Sequence, residues 1–154
     1  MKIQYILLLS IFIFISSCTY NTIEPEPVIP EDDEITFSKA DGADPALAEN
    51  QDRITDNVWI TRGNGGGQIF NIKLSQSSNK NNSPLDTEWA IGDKDDRNTL
   101  TFLPFRQVGQ PKSLINTNLV VHLITDDIYL NVRFTSWSSG QLGGFAYIRD
   151  KVPE

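Results

Sequence analysis

Apolar residues fall into two regimes along this chain. Ile3 to Ile15 is a nearly unbroken run of Ile, Leu and Phe, interrupted by Gln4, Tyr5 and Ser10. From Ile35 onward they come in short β-rich runs, separated by clusters of Gly, Asn, Asp, Ser and Pro. No window there carries a convincing helical period, so the pattern predicts an all-β domain. The candidate strands are Ile35–Lys39, Val58–Arg62, Gln68–Leu74, Thr87–Ile91, Thr99–Leu103, Leu119–Thr125, Ile128–Trp137 and Phe145–Arg149. Pro45–Gln51 can form one short helical turn.

Three hairpins can be registered from the alternation. A turn at Asp126-Asp127 sets Leu123 against Leu130, Val121 against Val132 and Leu119 against Phe134. The opposite face then carries His122 with Asn131 and Val120 with Arg133. A one-residue slip would destroy that separation, so the faces are well specified. Asp-Asp lacks the Gly that a type I′ turn prefers. A loop over Gly63–Gly67 sets Ile60 against Phe70 and Val58 against Ile72. The third hairpin, through Ser138–Gly144, sets Phe134 against Ile148 and places Trp137 against Phe145 on the non-core face; it also opposes Arg133 to Arg149, an unfavourable pair. This many short strands, each hairpin with one apolar face, predict an antiparallel β-sandwich of jelly-roll or Ig-like size, with a small closed β-barrel as the alternative.

The leader changes the picture of where such a domain sits. Its apolar run is shorter than the roughly 20 residues that span a bilayer, and has the length of a signal-peptide core behind Lys2. It ends in Ile15-Ser16-Ser17-Cys18, which holds the only cysteine. An aliphatic residue, two small residues and a cysteine resemble the lipobox of bacterial lipoproteins. That resemblance implies cleavage before Cys18, acylation of Cys18, and a membrane partner through the N-terminal lipid. The expected organisation is a lipoprotein signal peptide over residues 1–17, a tether over 18–34 and a β-sandwich domain over 35–154. One cysteine also excludes an internal disulfide.

The tether carries Pro25, Pro27 and Pro30 and six acids, with no Lys or Arg. Prolines bias it toward polyproline II and like charges extend it, for a reach of up to about 50 Å. It reads as a spacer or as a plain solvated tail. The net charge of −7 lies mostly there: the tether holds six of the 20 acids and the leader one of the 13 Lys and Arg, so 14 acids face 12 basic residues from Ile35 on. No basic stripe is present, and nucleic acid is not an expected partner.

Three segments resemble a known type of domain. They are Asp52-Arg53-Ile54-Thr55-Asp56-Asn57-Val58-Trp59-Ile60-Thr61-Arg62, then Ser83-Pro84-Leu85-Asp86-Thr87-Glu88-Trp89-Ala90, and then the run from Val121-His122-Leu123-Ile124 through Phe134-Thr135-Ser136-Trp137 to Gly143-Gly144-Phe145-Ala146-Tyr147. Together they resemble a small module of unassigned function found in secreted and cell-surface bacterial proteins. The resemblance implies an extracellular setting and a single domain over residues 35–149. It assigns no ligand and no functional residue.

Candidate chemistry is thin. With His122 the only histidine, a two-histidine metal site cannot form within one chain. Gly63–Gly67 lacks the spacing of a dinucleotide loop and the Lys of a P-loop, and reads as a hairpin loop. No cofactor and no metal are expected. Asp93-Lys94-Asp95-Asp96-Arg97-Asn98 departs from the EF-hand pattern, leaving a solvated turn or a loose calcium site that uses carbonyls. Asp86 and Glu88, two apart on one strand face, would sit about 7 Å from each other, within the range of glycosidase carboxylate pairs. His122 is either a contact in a ligand groove or a hydrogen-bonded surface histidine. Trp137, Tyr129, Tyr147 and Phe145 form either a sugar-stacking platform or ordinary cross-strand pairs.

The expected protein is a non-enzymatic lipoprotein of the cell envelope, at the outer membrane or cell surface, presenting a β-sandwich binding or structural module. A carbohydrate-binding accessory role and a carboxylate-dependent glycoside hydrolase are the alternatives. Any ligand, a glycan or a surface protein, is expected on the face carrying His122, Tyr129, Asn131, Arg133 and Trp137, beside the Ser138–Gly144 loop.

Overall fold

The computed structural model describes residues 33–154, so Cys18, the leader and nearly all of the tether lie outside the described residues. Eight strands form, namely β1 (Glu34–Lys39), β2 (Asp52–Arg53), β3 (Trp59–Arg62), β4 (Ile69–Asn71), β5 (Thr87–Ile91), β6 (Leu119–Leu123), β7 (Ile128–Trp137) and β8 (Phe145–Asp150). One sheet has the order β1-β8-β7-β6-β5, and the second the order β2-β3-β4. All pairings between these strands are antiparallel. The larger sheet keeps two open edges, so the fold is an all-β sandwich and not a closed barrel. Among the described residues no helix is long and apolar enough to cross a membrane.

The core lies between the sheets. Trp89, Leu119, Val121, Leu123, Leu130, Val132, Phe134, Phe145 and Tyr147 line the larger sheet's inner face, and Val58, Ile60 and Ile69 answer from the smaller sheet. Burying each large apolar side chain contributes on the order of 1.5–3 kcal/mol. The long connection from β5 to β6 adds a plug. Its short helix α1 (Phe105–Val108) drives Phe105 edge-on against Trp89, and the following 3₁₀ turn, begun by Pro111, buries Leu114. Proline suits that first position because its absent N–H would have no partner there.

The strand expected over Thr99–Leu103 does not form. Only Leu103 pairs, with Trp89, through two backbone hydrogen bonds. Pro104 follows and has no N–H to extend the ladder. The helical turn expected in Pro45–Gln51 appears as a 3₁₀ turn at Ala48–Asn50.

The structure shifts two of the expected registers and keeps the third in part. In the β6–β7 hairpin Leu123 pairs with Ile128, Val121 with Leu130 and Leu119 with Val132, a shift of two residues. A two-residue shift preserves the faces, so the apolar set still points inward. The loop is Ile124–Asp127, with only Asp127 at positive φ, 51°; a type I′ turn would need two such residues. In the β3–β4 hairpin Ile60 pairs with Asn71, Thr61 with Phe70 and Arg62 with Ile69, a shift of one. Both faces of the β3–β4 pair hold buried residues, Thr61 and Phe70 on one and Ile60 and Ile69 on the other. Apolar alternation therefore does not choose the register.

The β7–β8 pair keeps Trp137 against Phe145, then breaks step between Phe134 and Ser136. Beyond that β-bulge Phe134 pairs with Tyr147, Arg133 with Ile148 and Val132 with Arg149. The expected Arg133–Arg149 opposition disappears. The extra residue also reverses the alternation, so Trp137 joins the core side instead of the non-core face.

Candidate functional site

The outer face of the larger sheet carries a row built by strand pairing. Glu88 lies opposite His122, and His122 opposite Tyr129. The three side chains come from β5, β6 and β7 and point the same way because each pair is in register. The His122 Nδ1 lies 2.8 Å from Glu88 Oε1 and its Nε2 3.1 Å from Asp127 Oδ1. Its ring stacks on Tyr129 with centroids 4.0 Å apart and planes within 2°. Phe102 packs edge-on against both rings, and the Arg97 guanidinium lies 5.6 Å from the Tyr129 centroid. A neutral imidazole donates to one of two flanking carboxylates, whereas the imidazolium donates to both. Each ring nitrogen faces a carboxylate, Tyr129 covers one ring face, and the His122 side chain is only 12% exposed.

Asn131 sits one step further along β7. Its Oδ1 accepts the Lys94 N–H at 2.8 Å, and its own N–H donates to Asp150 Oδ2 at 2.9 Å. Lys94 Nζ completes the link with a 2.7 Å bridge to the same Asp150 oxygen. The Asp150 hydrogen bond raises the Lys94 pKa above the ordinary lysine value, against the opposing effect of burial. Arg133 is exposed, and with Asn131, Asp93, Asn118 and Asp150 it borders a cleft of about 150 Å³. His122, Tyr129, Asn131 and Arg133 thus share one face, as the sequence predicts.

Trp137 does not join them. Its ring packs against Phe105, Phe134 and Phe145 at centroid distances of 6.2, 5.6 and 6.0 Å, and Arg62 covers it at 4.2 Å. Tyr147 is buried between the sheets. The aromatic platform of Trp137, Tyr129 and Tyr147 is therefore not assembled on one surface. Phe102 and Asp127, which complete the histidine's surroundings, are missed because Asp127 sits in a loop, where alternation gives no face, and Phe102 sits in the Thr99–Leu103 segment, which does not form the expected strand.

Asp86 and Glu88 part company for a similar reason. Asp86 precedes β5 at φ 65°, so strand alternation does not extend to it. Its Oδ1 accepts from the Thr125 N–H and hydroxyl at 3.0 and 2.8 Å, clamping the β6–β7 loop, while Glu88 turns to His122. In the Asp93–Asn98 turn, the Asp93 side chain caps the Lys94–Asp96 3₁₀ turn through the Asp95 N–H. Among the described residues no group of three or more His, Cys, Asp or Glu is placed to hold a metal ion.

A second aromatic cluster occupies the smaller sheet. Trp59 lies on the central strand β3, with Arg53 of β2 4.1 Å from its ring centroid and Lys73, just past β4, 4.6 Å away. The indole Nε1–H donates to the Thr55 carbonyl at 3.0 Å. Comparison with protein-family models, curated proteins and solved structures finds no match to this chain.

Proposed function

We propose that this chain is a non-enzymatic lipoprotein of the cell envelope, anchored through Cys18 and presenting its β-sandwich as a binding or structural module. The observation that carries the reading is the Ile15-Ser16-Ser17-Cys18 motif at the end of an apolar leader, followed directly by an acidic, proline-rich tether. The place where the tether meets the domain supports it. β1 is an edge strand, so the chain enters at a sheet margin where a spacer can leave without disturbing the core. Asp86 is engaged by Thr125 and Glu88 by His122, which supports a role that does not use the two as a carboxylate pair.

Cys18→Ala tests the anchor. The variant should lose metabolic palmitate labelling and leave the membrane fraction, since acylation at this terminus supplies the binding energy for the bilayer. Unchanged labelling and retention would refute the reading.

A further inference from the structure

The Arg53–Trp59–Lys73 cluster is an odd feature for a chain of net charge −7. Both cations are exposed, and no salt bridge links either to a carboxylate among the described residues. Arg53 spends its Nε and Nη2 on one acceptor, Gln51 Oε1, at 3.2 and 3.0 Å, leaving Nη1 without a protein partner among the described residues. Lys73 Nζ likewise makes no hydrogen bond to those residues, although its backbone N–H is held by Asn71 Oδ1 at 3.2 Å. The indole is fixed by its own hydrogen bond to Thr55. Two cations are therefore held beside one rigid aromatic ring, coming from the strands on either side of it, with donors still to give.

We propose that this outer face of the smaller sheet binds an acidic polysaccharide, of the polyuronate class. The proposal rests on the reading of the chain as an envelope-displayed module and names its partner. A planar carboxylate suits the guanidinium fork, and an ammonium adds a second point charge. The indole edge and the side-chain stems around it offer apolar surface to the C–H face of a sugar ring. Charge complementarity selects the anion, and an anionic membrane is disfavoured as its source. Stable docking on anionic lipid draws on a cluster of about 4–8 basic residues, whereas this patch has two.

The test uses the full chain in neutral detergent and polygalacturonate as the probe, with the fully methyl-esterified polymer as control, read by affinity electrophoresis. The wild type should be retarded by polygalacturonate and not by the ester, and retardation should weaken with salt. Arg53→Gln/Lys73→Gln should raise the apparent dissociation constant about tenfold or more, with an unchanged thermal midpoint. Should the double variant melt early, Lys73→Gln alone, at an exposed position, carries the test with a several-fold loss. Absence of retardation in the wild type overturns the proposal, as does equal binding by a folded variant. Flotation with phosphatidylglycerol vesicles that depends on Arg53 and Lys73, without polymer binding, overturns it in favour of membrane docking. Retardation by the polymer does not depend on acylation, so failure there is separate from failure of the Cys18 anchor.

Discussion

The two ends of β8 bury charge in opposite ways. Near its C-terminal end Arg149 reaches across the sandwich to Asp52 of β2, donating from Nε at 2.7 Å and from Nη2 at 2.8 Å, and the Tyr147 hydroxyl adds a third bond to the same carboxylate at 2.6 Å. Both charged residues are 6% exposed. At the other end Lys39 and Arg62 are equally hidden, yet carbonyls and one amide serve as their acceptors. Arg62 Nη1 donates to the Ser138 and Gly144 carbonyls at 3.1 and 2.8 Å, and Lys39 Nζ to Asn64 Oδ1 and the Gly143 carbonyl at 2.9 and 3.3 Å. One end neutralises its charge and the other only solvates it. The first device ties sheet to sheet. The second ties together the two glycine-rich loops that close the sandwich. Gly143 is required there: at φ 80° a Cβ would meet the Gly63 carbonyl at 2.9 Å.

The largest effect is expected from breaking the neutral end. Asp52→Leu leaves the Arg149 guanidinium buried without a counter-charge, and a loss of about 3–5 kcal/mol should appear in urea unfolding. Asp52→Leu/Arg149→Met should recover much of it, because it removes the orphaned charge and leaves only the buried Tyr147 hydroxyl short of a partner. If the single and double variants lose the same amount, the pair is not the coupling between the sheets.

How far this was legible in sequence follows from what alternation can encode. The inward faces of β6 and β7 are readable because β7 alternates between buried and accessible positions, although Val120 on the outer face of β6 is buried too, and a two-residue error in the turn leaves them intact. His122 and Tyr129 share a face for the same reason. The bulge at Thr135 leaves no mark, since Thr135 looks like any strand residue, and it carries Trp137 to the other side. Asp52–Arg149 joins residues 97 apart in the chain, and no local pattern announces such a contact. In the smaller sheet polar groups are buried on purpose. Asn71 Oδ1 accepts the Trp59 N–H, and its Nδ2 donates to the Asn57 and Leu85 carbonyls. A buried, fully bonded amide reads in sequence like a turn residue.

The solvated end should break more gently. Arg62→Met removes the charge along with its bonds, so no ion is orphaned. The carbonyls of Ser138 and Gly144 lose a donor beside solvent-reachable loops, and a loss of about 1–3 kcal/mol is expected. Proteolysis should then cut first in the Gly63–Gly67 or Ser138–Gly144 loops. Cleavage starting in the Asp126 hairpin instead would show that Arg62 does not fasten this end.

The smallest effect is the most discriminating, because it separates the two ends by sign. Burial holds the Lys39 pKa below the lysine value of 10.5, with the Arg62 charge adding to the effect and Asp41 and Asp44 opposing it. Folding therefore disfavours the charged form, and stability from this group rises as pH climbs through the folded pKa toward 10.5. Tyr147 behaves oppositely. Burial first, then the charge of Asp52 and the hydrogen bond to it, push its pKa well above 10.0. Its contribution is complete below pH 10 and is lost above it, by up to about 1.4 kcal/mol per pH unit. Lys39→Met should shift stability at pH 7 by no more than about 1 kcal/mol, since lost hydrogen bonds and relieved desolvation offset each other. It should also abolish the rise on the approach to pH 10.5. Tyr147→Phe should leave that rise in place and flatten the fall above pH 10. Urea midpoints measured across this range decide the matter, and a Lys39→Met profile that still rises would place the titrating group elsewhere.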